Sequence, residues 1–289
     1  MSLRSSVLAA VSGILLTLCS AGGVGAIEFS NNATPLTPEQ SLWHGLVRLP
    51  GGCSGSVVRL SDVDKSSSAL VVTNGHCMPD RPGVGEVITN ESPRVEMKLV
   101  TPQGDKPLTP KATVLATLTG TDVQVVSLQE TYLELENKYG TYGKSWSIKK
   151  ENENSVNSKI FIISGYWREY VNCSLADGGV RLREGEYSFK NATRYSSGCS
   201  TRGGYSGSPV VDSRTQELVA IHSTGVDFSR SKKEDCEEGR PCELREGKPF
   251  VVEGAKYGQD LAPVAACITN NTADLRRQGC NLNKIGRNK

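Results

Sequence analysis

The sequence predicts an all-β protein, and three observations favour that class. Short segments rich in β-branched residues recur along most of the chain, separated by Gly, Pro, Asn and Ser. Amphipathic helical stretches do not recur between them, which argues against alternating βαβ units. No linker-like stretch divides the sequence, so we expect one structural unit of two packed β-lobes.

The predicted elements follow from this pattern in chain order. Ten segments have the strand signal: Leu42–Leu49, Gly55–Leu60, Ala69–Thr73, Arg94–Val100, Ala112–Leu118, Asp122–Leu128, Lys159–Ile163, Ser208–Val211, Glu217–Ser223 and Pro249–Glu253. Two helices are expected, a short polar one around Tyr132–Tyr139 and one near the C-terminus over Gln259–Ile268. Three polar segments are expected as surface loops: Asp62–Ser68, Thr141–Ser158 and the densely charged Phe228–Lys248.

Composition and charge exclude several classes of protein. The 289 residues include 33 Lys and Arg against 31 Asp and Glu, a net charge of +2, so no nucleic-acid partner is expected. No apolar run reaches the ~18–20 residues of a membrane-spanning helix, so integral membrane association is not expected. Three histidines and no Cys-x-x-Cys pair make a zinc site improbable. No metal or organic cofactor is implied, although the presence of a structural calcium ion is left open.

The first residues predict export. Met1–Ala26 has the basic start, short apolar core and small terminal residues of a signal peptide. Cleavage after Ala26 removes Cys19 from a total of nine cysteines, and the remaining even number is typical of disulfides. We therefore expect a secreted protein, periplasmic if the source is Gram-negative. Residues 27–41 are then an N-terminal segment and candidate propeptide.

Three stretches carry residues suited to nucleophilic catalysis. His76 follows an apolar strand, Asp122 heads another strand, and Ser206 lies in a glycine-rich turn before a third. A serine hydroxyl needs a neighbouring base, and an unperturbed imidazole titrates near pH ~6.5. Asp122 would orient His76 and stabilise the imidazolium. The N–H groups of Gly204 and Ser206 would form the oxyanion hole.

The neighbours of these residues resemble the motifs of the chymotrypsin-fold (trypsin-like) serine peptidases. Val71–Cys77 resembles the family's histidine motif, Asp122–Val126 its aspartate motif and Gly203–Val210 its serine motif, at separations of 46 and 84 residues. The likeness runs roughly from Trp43 to Ile268. It implies two packed six-stranded antiparallel β-barrels with a C-terminal α-helix. It also implies an endopeptidase that acts on protein or peptide substrates through an acyl-enzyme.

This resemblance suggests boundaries and a branch. The peptidase unit is expected over residues 42–268, followed by a disulfide-closed tail at 269–289. The stretch Gly203–Pro209 is closer to the bacterial glutamyl-endopeptidase-like branch than to animal members. Cys199 stands seven residues before Ser206, where animal enzymes have a cysteine four before their serine. Tyr205 replaces the acid that pairs with a freed N-terminus, and an Ile-Val-Gly-Gly start is absent, so activation by insertion is not expected.

The resemblance also suggests a pocket for the residue before the scissile bond, the S1 pocket for the P1 residue. Its candidate residues are Ser200, Thr201, His222, Ser223 and Gly225. Cleavage after Lys or Arg would require an acid at position 200, which is Ser200 here. His222 and Thr201 instead match the residues with which glutamyl endopeptidases recognise an acidic side chain. A preference for Glu is therefore expected, with hydrogen bonds to its carboxylate contributing roughly 1.5–3 kcal/mol each.

Alternatives remain open at this point. The alternative for His222 is a satisfied core histidine. The alternative for P1 is a trypsin- or chymotrypsin-like preference. The segment Phe228–Lys248 could reshape the pocket or supply an acid from Glu234, Asp235, Glu237 or Glu238. A non-catalytic binding protein of the same fold is the rival from another class. His44 has no partner motif and no assigned role, and the oligomeric state is left open.

The resemblance extends to the cysteines. It implies a Cys53–Cys77 disulfide beside the catalytic histidine. Cys236 and Cys242 are close enough in sequence to close their own loop, and Cys267 and Cys280 bracket a second one. Cys173–Cys199 is then the remaining pair. Eight cysteines allow 105 connectivities, so these pairings depend on proximity and family likeness.

Overall fold

The computed structural model describes residues 33–37, 41–148, 156–226 and 236–282. Its strands are β1 (Ala33–Pro35), β2 (Leu46–Leu49), β3 (Cys53–Arg59), β4 (Ser68–Thr73), β5 (Val87–Glu91), β6 (Met97–Leu99), β7 (Lys106–Leu108), β8 (Pro110–Thr117), β9 (Val123–Thr131), β10 (Trp146–Ser147), β11 (Lys159–Ser164), β12 (Glu169–Glu184), β13 (Tyr187–Tyr195), β14 (Pro209–Asp212), β15 (Leu218–Gly225), β16 (Cys242–Arg245), β17 (Lys248–Phe250), β18 (Lys256–Asp260), β19 (Ile268–Thr269) and β20 (Thr272–Ala273). The helices are α1 (Tyr132–Tyr139) and α2 (Ala262–Ala265), with 3₁₀ turns at Ser41–Trp43, Gly75–Cys77 and Gly140–Gly143. The expected signal peptide lies outside the described residues.

The first sheet is a curled antiparallel path in the order β5-β8-β9-β4-β3-β2-β6-β7. Strand β10 adds to it by pairing in parallel with β3. Most residues of the central strands β3, β4 and β9 are buried, including consecutive ones, so both faces of these strands are covered along most of their length. Val57, Val71 and Val126 are fully buried in this core.

The second sheet contains a closed ring of six strands, β11-β14-β15-β18-β13-β12. The ring closes because β11 pairs antiparallel with both β14 and β12. Strands β16 and β17 extend it beyond β12. The predicted all-β double-barrel class is thus confirmed. The second barrel has the expected six strands, whereas the first sheet is a curled path of eight.

A long hairpin, β12–β13, has no counterpart among the predicted strands. Asp177-Gly178-Gly179 reads as a turn in the sequence, but these residues lie within β12. The pairing with β13 shifts register between Leu175 and Asp177 and again before Val180. The strand therefore absorbs its turn-forming residues as bulges and continues to Glu184.

The two predicted helices have different outcomes. Helix α1 spans the expected residues and begins with a capping box, in which Thr131 and Glu134 satisfy each other's backbone N–H groups. The expected C-terminal helix is wrong in extent, since only Ala262–Ala265 is α-helical. Gln259 stays in β18, where it pairs with both Ala192 and Ile221. The sheet ladder on both sides of this strand outweighs the local helical preference.

Four disulfides join the expected pairs of cysteines. They are Cys53–Cys77, Cys173–Cys199, Cys236–Cys242 and Cys267–Cys280. Cys53–Cys77 joins β3 to the turn that contains His76, and Cys173–Cys199 joins β12 to the loop before Thr201. No helix in the described part of the chain is long and apolar enough to cross a membrane.

Strand β1 lies within residues 27–41, the candidate propeptide. It pairs antiparallel with Glu169–Val171 of β12, on the edge opposite to β11. Trp43 strengthens this connection, because its Nε1 donates to the carbonyl of Thr37 at 2.6 Å. Residues 33–35 are therefore part of the second sheet, and a propeptide at 27–41 stays a prediction.

Candidate active site

Neighbouring strands of the first sheet bring His76 and Asp122 together. His76 occupies the single 3₁₀ turn after β4, and Asp122 directly precedes β9. These two strands pair with Thr73 opposite Gln124, so the residues at their adjoining ends must lie close together. Gly75 permits this turn, because a Cβ there would collide with the carbonyl oxygen of Thr117.

The carboxylate of Asp122 is buried and fully engaged. Its Oδ2 lies 2.7 Å from Nδ1 of His76, and its Oδ1 accepts from the His76 backbone N–H at 3.0 Å. Ser223 Oγ donates to Oδ2 at 2.7 Å, and Asn74 Nδ2 donates to the Asp122 carbonyl at 2.9 Å. A proton on Nδ1 of His76 leaves Nε2 as the basic nitrogen.

Opposing effects set the pKa values of this pair. Burial alone would lower the pKa of His76, but the charge and hydrogen bond of Asp122 raise it above the usual 6.5. Burial alone would raise the pKa of Asp122, but His76 and Ser223 hold it below its usual value. Asp122 is therefore ionised at neutral pH, and it increases the basicity of His76.

The turn around Ser206 is fixed from both sides. The Ser206 carbonyl accepts from the N–H of Ser54 at 2.7 Å, and Gly207 N–H donates to the carbonyl of His222 at 2.8 Å. Gly207 has a φ of +79°, and a Cβ there would collide with the carbonyl oxygen of Ser54. Ser206 itself is half-buried. In the described chain, no hydrogen bond joins its Oγ to His76, which is common before substrate binds.

Gly204 lies two residues before Ser206, and hydrogen bonds to its own carbonyl and to that of Gly203 fix its position. That oxygen accepts from Ser54 Oγ at 2.9 Å, and the preceding carbonyl, of Gly203, accepts from Nε1 of Trp167 at 2.7 Å. The N–H groups of Gly204 and Ser206 have no acceptor among the described residues. Two unpaired donors on one turn can stabilise an oxyanion.

His222, one of the expected S1 residues, lies in a buried cluster of aromatic rings. His222 packs against Tyr195 and Tyr205, at ring-centroid distances of 5.8 and 6.3 Å. Within the described residues, its Nδ1 is buried with no hydrogen-bond partner, as are Thr201 Oγ1 and Tyr195 Oη. Burial, followed by the charges of Lys256 and His76, lowers the pKa of His222 to about 3. The imidazole is therefore uncharged at neutral pH.

The other expected S1 residues have different positions. The hydroxyl of Ser223 donates to Asp122 and so lies beside the His76–Asp122 pair. Ser200 is half-buried and makes a long 3.4 Å contact with the carbonyl of Gly198. Gly225 pairs with Lys256 of β18. On its other side, β15 has no partner strand beyond His222 in the described chain, which leaves an edge for an extended peptide.

One cluster of potential metal ligands occurs among the described residues. Ligand atoms of Cys53, His76 and Cys77 all lie within 4.8 Å of one another. The two cysteines form a disulfide, so neither offers a thiolate. His76 is already bonded to Asp122, and the cluster therefore does not fit a metal ion.

Several residues of the site had no role in the sequence-based analysis. Ser54, Ser164 and Trp167 surround the carbonyls of Gly203 and Gly204. Nothing in the sequence marks them, because they come from separate strands and loops. Asn74 was visible, since it lies within the histidine motif.

Comparisons with known proteins agree with this architecture. The profile of the trypsin-like peptidase domain matches residues 53–221, more than half of the chain. A search of curated proteins finds no significant match. Among solved structures, the chain is similar to the MamO protease domain from Magnetospirillum magneticum. The identity is 12%, over 79% of this chain and 98% of that one, with a TM-score of 0.47.

Two further solved structures show similar distant likeness. The Rv3671c protease from M. tuberculosis is 11% identical over 80% of this chain and 95% of its own, with a TM-score of 0.46. A serine protease described as glutamic acid specific, with a histidine triad in substrate binding, is 17% identical over 76% and 93%, with a TM-score of 0.41. Such distant structures assign no substrate, and the family assignment depends on the profile match. By that match, this chain belongs to the trypsin-like peptidase family.

Proposed function

We propose that the protein is a secreted serine endopeptidase that works through Ser206, His76 and Asp122. The observation that supports this best is the 2.7 Å contact of His76 with a buried Asp122. It lies in the same site as a serine turn whose Gly204 and Ser206 N–H groups are unpaired in the described chain. Nucleophile, base, orienting acid and oxyanion donors are thus all provided by this chain.

The proposed reaction has two steps. Ser206 Oγ attacks the carbonyl carbon of the scissile bond while its proton moves to Nε2 of His76. Gly204 and Ser206 N–H groups stabilise the oxyanion, and His76 then protonates the departing amine as the C–N bond breaks. Water attacks the resulting ester, giving its proton to His76, and the acid product leaves as Ser206 regains its proton.

Acidic side chains are the proposed P1 preference. His222 Nδ1 and Thr201 Oγ1 are buried polar atoms without partners in the described residues, and a bound carboxylate would satisfy such groups. The uncharged imidazole can donate one hydrogen bond, and the hydroxyl of Thr201 a second. No described acid lies in the position that recognition of Lys or Arg would require, since that residue is Ser200.

Export supports the same assignment. The N-terminal segment Met1–Ala26 has a signal peptide pattern, and the four disulfides suit an oxidising compartment. Secretion of the cloned chain followed by N-terminal sequencing tests this. A mature chain beginning at Ile27 is the expected result.

Labelling with a fluorophosphonate tests the nucleophile. Wild-type protein is expected to be labelled at Ser206, whereas Ser206→Ala is not labelled and keeps its thermal unfolding transition. Labelling that persists in Ser206→Ala would overturn the assignment, and an unlabelled wild-type protein would favour a non-catalytic binding protein.

A peptide library with varied P1 residues tests specificity. Faster cleavage after Arg or Phe than after Glu would reject the acidic preference.

A further inference from the structure

Glu184 is an acidic residue that lies against the proposed substrate edge without any assigned role. It ends β12, at the tip of the long β12–β13 hairpin. Its Oε1 accepts from Thr224 Oγ1 at 2.8 Å and from the N–H of Gly239 at 2.6 Å. Thr224 follows Ser223, whose hydroxyl binds Asp122. The carboxylate therefore adjoins the catalytic residues, although it comes from a distant part of the chain.

The disulfide loop of the C-terminal insertion holds Glu184 in place. Gly185 N–H donates to the carbonyl of Cys236 at 2.6 Å, and Arg183 pairs with Cys242 in the sheet. Cys236 and Cys242 are themselves joined. These contacts fix the hairpin tip and the Gly239 N–H relative to each other, so the carboxylate is positioned before a substrate arrives.

Glu184 lacks a cationic partner. In the described part of the chain, no Lys or Arg lies within ion-pair distance of it, and the nearby Arg81 is paired with Glu238 at 2.9 Å. Partial burial raises the pKa of Glu184, although the bonds from Gly239 and Thr224 oppose that rise. Its second oxygen, Oε2, has no hydrogen bond to a described residue. A cation would stabilise this incompletely solvated carboxylate.

The direction of a bound peptide indicates which side chain would meet Glu184. Successive side chains of an extended peptide point to opposite faces. If the P1 side chain is directed towards His222 and Thr201, the side chain of the preceding residue, P2, points to the other face. Glu184 is near enough to be a partner there, since its Oε1 accepts from Thr224, which directly follows the Asp122-bound Ser223.

We propose that Glu184 is a specificity-determining residue that binds a Lys or Arg side chain at P2 of the substrate. This proposal rests on the proposed function, because it assigns a subsite of the same cleft. It adds a basic requirement to the preference at P1 and makes the recognised sequence a dipeptide of defined charge. The insertion contributes through Gly239, which holds the recognising carboxylate, and not through an acid of its own.

The experiment measures kcat/KM on fluorogenic peptides with a mixed P1 residue and P2 fixed as Lys, norleucine or Glu. The mature wild-type protein is compared with Glu184→Gln, which keeps an oxygen for Thr224 and Gly239. The control is Glu186→Gln, which removes an equal charge from an exposed residue of the same hairpin. Fluorophosphonate labelling of Ser206 is measured for each protein.

We expect wild type and Glu186→Gln to cleave the P2-Lys peptides about tenfold faster than the norleucine peptides. In Glu184→Gln the ratio should fall to about one, with labelling of Ser206 unchanged. Equal ratios in wild type and Glu184→Gln would overturn the subsite. An equal loss of kcat/KM on all peptides, with a shifted pH profile, would also overturn the subsite. That result would make Glu184 a positioning residue for His76. Absent labelling of wild type would instead reject the proposed function.

Discussion

Ser223 donates a 2.7 Å hydrogen bond to the same oxygen of Asp122 that faces Nδ1 of His76. Oδ2 of Asp122 thus faces two hydrogen-bond donors, Ser223 Oγ and Nδ1 of His76. We expect Ser223→Ala to lower kcat/KM by about tenfold, since a hydrogen bond to a charged group contributes roughly 1.5–3 kcal/mol. The pKa of Asp122 would rise, and more of its charge would act on His76. The acid limb of the pH–rate profile should therefore move to higher pH, while Ser213→Ala, on the loop after β14, should leave it in place.

The raised pKa of His76 predicts the pH dependence of the wild type. His76 must be uncharged to act as a base, so activity is lost as the pH falls through its pKa. Because Asp122 raises that pKa above 6.5, half-maximal kcat/KM is expected above pH 6.5. Asp122→Asn should lower kcat by about 10⁴-fold, through loss of the correct tautomer. A wild-type acid limb at or below pH 6.5 would contradict the assignment of His76.

Two adjacent glycines give a matched test of the oxyanion turn. Gly204 has a φ of +97°, and a Cβ there would collide with the side chains of Trp167 and Tyr166. A Cβ at Gly203 would meet nothing within 4 Å. We expect Gly204→Ala to lower kcat by about 10²-fold or more, because it displaces an oxyanion donor. Gly203→Ala should stay within about twofold of wild type, and a similar loss in both variants would count against the assignment.

His222 is the residue on which the acidic preference depends. We expect His222→Gln to reduce kcat/KM for Glu at P1 by about tenfold, while Ser206 keeps its rate of fluorophosphonate labelling. His44→Gln provides the control, since His44 packs on Trp146 at 5.2 Å and has no proposed role. If His222→Gln slows labelling and cleavage of every peptide alike, the histidine supports the fold only.

The sequence was sufficient to predict the fold class, because strand-forming segments and turn residues alternate in it so regularly. His76, Asp122 and Ser206 could be singled out as candidates, since each lies in a short motif; their catalytic roles stay a prediction. The contacts that hold these motifs in place could not be predicted, because they join residues that are far apart in the sequence. The partners of Gly204 are Ser54 and Trp167, and no local pattern brings these residues together.

The long hairpin shows a different limit. Asp177-Gly178-Gly179 has the composition of a turn, and local propensity alone would end a strand there. Pairing with β13 outweighs that propensity and continues the strand to Glu184, beside the candidate active site. From its composition, the charged insertion Phe228–Lys248 is a candidate source of an additional acid. Glu237 and Glu238 of that insertion are exposed, whereas the acid that accepts from Thr224, beside Ser223, belongs to β12.

The pairing of β1 with β12 limits how far the amino-terminal end can be trimmed. Residues Glu169–Val171 lie between β11 on one side and Ala33–Pro35 on the other. A processing cut at residue 42 would remove β1 and expose unpaired N–H and C=O groups along that part of β12. Exposed strand edges of this kind recruit other chains and promote aggregation. A mature enzyme that begins before Ala33 keeps the edge covered, so the first residues of the described chain would protect the protease from self-association.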